Sequence, residues 1–109
     1  MQTNIRNAPL VLVGAGHAHL VSLRHWVTQG SRAPAGSLMI NPDPQAWYSG
    51  MMPGLIAGRF QPEQCQVPLA GLCAASGVEL VCSKLSGLKA DSGLLELADG
   101  QTIEFETLS

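Results

Sequence analysis

The stretch Leu10-Val11-Leu12-Val13-Gly14-Ala15-Gly16-His17-Ala18-His19-Leu20 decides the fold. Its first four residues are apolar and β-prone with no polar alternation, the pattern of a strand covered on both faces in a parallel sheet. Gly14-Ala15-Gly16 ends that run. From His17 the period changes: Leu20, Leu23 and Val27 fall at i, i+3 and i+7 and define one helix face, with Ser22, Arg24 and Gln29 off it. Gly30 supplies a left-handed stop just past the helix. A connection containing Pro34 and Gly36 leads to Leu38-Met39-Ile40, a second short apolar run. Strand, tight turn, helix and strand within about 30 residues form a βαβ unit, whose crossover is right-handed.

The turn itself carries a chemical signal. Gly14 permits the tight bend, and Gly16 removes a side chain where backbone must approach a pyrophosphate. Amides at the helix N-terminus then face the phosphate charge. Two positions depart from the G-x-G-x-x-G pattern. His19 stands where the third glycine is expected, and the acidic residue that would hold a ribose at the end of the second strand is absent. Asn41 occupies that place, followed by Asp43; its amide can hydrogen-bond ribose hydroxyls, less strongly than a carboxylate.

Outward from this unit the pattern is mixed. Residues 1–8 read as a polar, frayed start. Residues 41–62 hold Pro42, Pro44, Pro53, Pro62, Gly50, Gly54 and Gly58 and read as a long irregular connection, with a short helix possible over 52–59. Pro68 opens a helix through Leu69, Leu72 and Cys73 that stops at Gly77. Residues 78–82 read as a third strand. A strand near 84–90 turns at Asp91-Ser92-Gly93. Leu95 and Leu97 then alternate with Glu96, Asp99-Gly100 makes a hairpin turn, and Ile103 and Phe105 alternate with Glu104 and Glu106. Leu108-Ser109 reads as the start of another element. The expected fold class is α/β: a Rossmann-like βαβ with parallel strands, followed by an antiparallel β-meander.

Composition narrows the function. With 109 residues the chain makes one domain at most. Only 13% of residues are charged, about half the usual share, and the formal net charge is −2. No electrostatic grip on nucleic acid or anionic lipid follows from that balance. No apolar run near the start is long enough for a membrane span or a secretory signal, so the chain is read as cytoplasmic. Cys65, Cys73 and Cys82 form no CxxC pair, and buried packing is the reading for each. His17 and His19 do not share a helix face, and His17 with His25 would make an incomplete ligand set; no metal is expected. Met51 and Met52 read as packing residues, Trp47 and Tyr48 as loop anchors or covers for a ring, and Arg59 as solvent-facing. No paired acid and base stands out among the carboxylates.

The glycine turn with its histidines resembles the N-terminal FAD motif of the pyridine nucleotide-disulfide oxidoreductase superfamily, in the NADH dehydrogenase-like branch also found fused to selenide, water dikinase. Tyr48-Ser49-Gly50-Met51-Met52-Pro53-Gly54-Leu55-Ile56-Ala57-Gly58 is similar to that branch's tyrosine-serine-glycine-methionine loop. The residues around Asp99-Gly100 and the closing Phe105-Glu106-Thr107-Leu108-Ser109 also fit, and within this branch the histidine-rich turn is usual. The resemblance implies that Gly14, Gly16, His17 and Ala18 line the FAD pyrophosphate and that Asn41 and Pro42 lie by the adenosine ribose. Lys84 and Leu85 would lie by the adenine. Ser49, Gly50 and Met51 would run toward the flavin or its ribityl chain, and His17 could reach the flavin edge.

The same resemblance implies an incomplete FAD-binding domain spanning 1–109. No redox cysteine pair and no second glycine fingerprint for NAD(P)H are in the sequence, so NAD(P)H would bind a domain outside it. The expected function is the FAD-binding portion of an NAD(P)H-dependent flavin oxidoreductase that passes electrons to a quinone or another acceptor. Its expected partners are FAD and the remainder of a parent protein, or another copy, meeting it through exposed apolar surface. The alternatives are a non-catalytic nucleotide-binding or interaction module, and an NAD-binding Rossmann domain. The missing acidic residue and the long proline-rich loop argue against the last.

Overall fold

The computed structural model describes residues 5–47 and 66–109. In chain order the elements are β1 (Ile5–Val13), α1 (His17–Thr28), β2 (Leu38–Ile40), β3 (Gln45–Trp47), β4 (Gln66–Pro68), α2 (Leu69–Ser76), β5 (Glu79–Val81), β6 (Leu85–Lys89), a 3-10 turn (Ala90–Ser92), β7 (Leu94–Leu97) and β8 (Thr102–Leu108). Six strands form one sheet in the order β5-β2-β1-β8-β7-β6, and β3 and β4 form a separate antiparallel ribbon. β1 pairs in parallel with β2 on one side and with β8 on the other. β6, β7 and β8 make the antiparallel meander. The mixed α/β fold expected from the sequence is the fold observed.

The sheet is rolled, and chain connectivity requires it. β5 and β6 stand at opposite ends of the strand order, about 24 Å apart if the sheet were flat. Only residues 82–84 join them, and Val81 to Leu85 spans at most about 14 Å. The meander therefore folds back over the parallel strands. Leu95, Leu97 and Ile103 of the meander pack with Ala8, Val11, Leu38 and Ile40 in one buried cluster. On the opposite face, Leu12 and Met39 pack with Leu20 and Leu23 of α1 and Leu69 and Cys73 of α2. Val11 and Leu12 point to different layers and both are buried, which is why β1 carries no polar alternation.

Several sequence expectations are corrected. β1 starts at Ile5 instead of Leu10: residues 5–8 pair with β8, from Ile5 opposite Thr102 to Ala8 opposite Phe105. The polar side chains there suit a strand end lying outside the short β2, and Arg6 reaches past β2 to an ion pair with Glu79 of β5. Within the stretch read as irregular, residues 45–47 form β3, held by β4 and by the Leu69 N–H, which donates to the Pro44 carbonyl at 2.9 Å. The possible helix over 52–59 lies outside the described residues. On α1, Val27 is exposed, and half-buried Trp26 packs against the core in its place. Leu108, read as the start of another element, is the last residue of β8, and Ser109 just past it stays bonded to β1. Ser109 donates its N–H to the Val11 carbonyl and accepts from the Val13 N–H, both at 2.9 Å.

Candidate functional site: the glycine turn at the carboxyl ends of the strands

The turn between β1 and α1 lies at the carboxyl ends of the parallel strands, where open α/β sheets bind ligands. Gly14 has φ +83, in the left-handed region where a side chain is strained, and its N–H donates to the Ile40 carbonyl at 2.8 Å. That bond ties the turn to the end of β2. Gly16 is different. Its φ of −74 suits any residue, and a Cβ placed there would meet nothing within 4 Å among the described residues. Glycine at this position leaves bare backbone with room before it among the described residues, as a closely approaching ligand requires.

Gly16 is the N-cap of α1, and no side chain caps the helix. The first helical bond runs from the Leu20 N–H to the Gly16 carbonyl at 3.0 Å, so the earlier amides are left without helical partners. The first turn holds no acidic residue. The partial positive charge of the helix start is therefore not offset by its own side chains, which favours an anion.

Asn41, expected at a ribose, is engaged with the turn. Its Oδ1 accepts the Ala15 N–H at 3.1 Å, and its Nδ2 donates to the Asp43 carbonyl at 2.7 Å. Its own N–H donates to the Val81 carbonyl at 3.1 Å, joining the ends of β2 and β5. Pro42 follows at the exposed rim. Lys84 is exposed three residues past Val81; its carbonyl accepts the Ala98 N–H at 2.8 Å. Leu85 begins β6 opposite Leu97 and is 40% exposed. The structure thus gathers Gly14, Gly16, Ala18, Asn41 and Pro42 around one turn, with Lys84 at the rim where β5 ends. Ser49, Gly50 and Met51 lie outside the described residues.

Sequence reasoning missed what His19 does. Its Nδ1 lies 2.6 Å from the Gly14 carbonyl oxygen and its Nε2 lies 3.0 Å from the Ser109 hydroxyl. The only signal in the sequence was its departure from glycine. Among the described residues no group of three or more His, Cys, Asp or Glu side chains could hold a metal ion. No described helix is long and apolar enough to cross a membrane.

No protein-family model and no curated protein matches the chain. Solved structures do. The sulfide:quinone oxidoreductase of Aquifex aeolicus superposes with a TM-score of 0.72 at 22% identity, over 94% of this chain and 23% of its own. The NADH:rubredoxin oxidoreductase of Clostridium acetobutylicum gives 0.68 at 16% identity, over 94% and 27%. A chain of the Tetrahymena thermophila mitochondrial ATP synthase gives 0.71 at 10% identity, over 99% and 25%. The protein thus has the mixed α/β fold, parallel sheet plus meander, that occurs in two oxidoreductases. It spans about a quarter of the length of the solved chains it matches.

Proposed function

We propose that this chain is the FAD-binding portion of a flavin-dependent oxidoreductase of the pyridine nucleotide-disulfide oxidoreductase superfamily. The observation that carries the reading is the glycine turn: bare backbone at Gly16 beside an uncapped helix start, in a fold shared with a sulfide:quinone and an NADH:rubredoxin oxidoreductase. The residues fit a dinucleotide, because among the described residues amides without helical partners and open space coincide where a pyrophosphate would lie. FAD, when bound, supplies a ring that accepts a hydride and passes electrons on.

In this reading the chain's own residues bind and orient. Gly14 shapes the turn, and the amides of Gly16, His17 and Ala18 hold the pyrophosphate. Asn41 and Pro42 border the adenosine ribose, and Lys84 and Leu85 flank the adenine. Ser49, Gly50 and Met51 extend toward the flavin. NAD(P)H binds a domain outside this chain, electrons pass to a quinone or another acceptor, and the 109 residues form one incomplete domain in a cytoplasmic protein. FAD titrated into the purified chain should lose fluorescence on binding, and FAD should compete better than NADH. Absence of binding by FAD and by ADP would end the proposal.

The ATP synthase chain favours a second reading, since it places the same fold in an assembly whose name describes no flavin chemistry. A non-catalytic nucleotide-binding module would bind ADP and FAD equally, with no contribution from the flavin half.

A further inference from the structure

The Gly14–Ala15 peptide is gripped at both ends by side chains. His19 Nδ1 meets its carbonyl oxygen at 2.6 Å, and Asn41 Oδ1 accepts its N–H at 3.1 Å. A carbonyl oxygen only accepts, so Nδ1 carries the hydrogen. In the uncharged ring Nε2 is then a bare acceptor, and the Ser109 hydroxyl, 3.0 Å away, donates to it. Ser109 is itself fixed to β1 through its backbone. One imidazole therefore ties the first turn of α1 to the glycine turn and to the end of β8.

We propose that His19 is a positioning residue for the phosphate-bearing part of the ligand, an inference that rests on the flavin reading above. The clamp stops the Gly14–Ala15 peptide from turning over. It thereby sets the direction of the next amides, those of Gly16, His17 and Ala18, before any ligand arrives. The Ala15 N–H is spent on Asn41, so the phosphates fall to these three amides. Pre-set donors bind more tightly because no ordering cost is met on association. This also accounts for histidine in place of the third glycine. The ring lies over the turn, so its bulk does not wedge the helix from the strand.

Two substitutions of similar size separate positioning from packing. His19→Asn keeps a donor close to the place of Nδ1, within reach of the Gly14 carbonyl. His19→Gln carries its amide out to the place of Nε2, within reach of Ser109 but not of Gly14. The whole 109-residue chain, wild type and both variants, is titrated with FAD and with ADP. The expected result is His19→Asn within about threefold of wild type and His19→Gln about tenfold weaker for both ligands. Equal affinities for all three proteins, or equal losses in both variants, would overturn the proposal.

Nitrogen NMR of the ligand-free chain gives an independent readout. It should show His19 protonated at Nδ1 and bare at Nε2, and the opposite tautomer overturns the clamp. If the wild type binds neither nucleotide, the flavin reading falls and takes the ligand-positioning role with it. That failure is told apart by a tautomer that still comes out as stated.

Discussion

The backbone N–H of Ala15 donates to the side-chain oxygen of Asn41 at 3.1 Å, a bond that joins the β1–α1 turn to the end of β2 across 26 positions of sequence. Because Asn41 Nδ2 also holds the Asp43 carbonyl, Asn41→Ala leaves a half-buried amide and a carbonyl without partners. The expected loss is about 1–3 kcal/mol, read by urea unfolding. Asn41→Asp keeps an acceptor for the Ala15 amide but sets a second acceptor against the Asp43 carbonyl, so it too should be less stable than wild type.

Leu95 is fully buried between the meander and the parallel strands. Leu95→Ala should cost about 2–5 kcal/mol, as truncation of a buried leucine does where the surroundings cannot collapse. A loss well under 1 kcal/mol in chemical denaturation would mean that the meander does not cover the sheet in solution.

Gly77 ends α2 at φ +81, and a Cβ there would stand 3.1 Å from Arg32 Cβ. Gly77→Ala meets both the left-handed backbone penalty and that contact, so a destabilisation of about 1–2 kcal/mol is expected. A thermal melt lower by at least about 4 °C would register it in a domain of this size.

The Cys73 thiol is buried against Met39, Sγ to Sδ 3.8 Å, whereas Cys82 is exposed. Burial, with a smaller contribution from Cys82, pushes the Cys73 thiol up from 9.0 to about 11. Maleimide labelling followed by peptide mapping should modify Cys82 quickly and Cys73 only on unfolding. The raised thiol adds stability that is full below about 9 and is lost as pH rises through about 11, so Cys73→Ala should narrow the alkaline loss.

Asp99 is held below the ordinary carboxylate value by the Gln101 backbone N–H at 3.1 Å and then by the Gln101 side-chain amide at 2.7 Å. The resulting stabilisation is present above the ordinary carboxylate range and disappears as pH falls through the lowered value. Asp99→Asn should be less stable than wild type near neutral pH, and the two melting curves should converge in strong acid.

The parallel core was legible because its signals are local. An unbroken apolar run, a glycine turn and a change of period to the helix each fall within a few residues, and Gly77 and Gly100 mark turns that take a positive φ. What escaped was set by partners distant in sequence. Residues 5–8 look frayed until β8 is placed beside them, and β3 is invisible until β4 pairs with it. At the site, the turn was found from its glycines, yet the work of Asn41 and His19 was not. Each acts through a bond to a residue 26 or 90 positions away, or to a carbonyl whose direction sequence does not state.

The pairing of β1 with β8 also bears on how the chain acquires its structure. Ile5 lies opposite Thr102, so the strand at the centre of the sheet is flanked on one side by nearly the last residues described. Closing so long a loop must precede the contacts that reward it, which slows folding relative to a helical chain of equal length. Until that closure the apolar edge of β1 stays unpaired, a hazard for aggregation during refolding or synthesis.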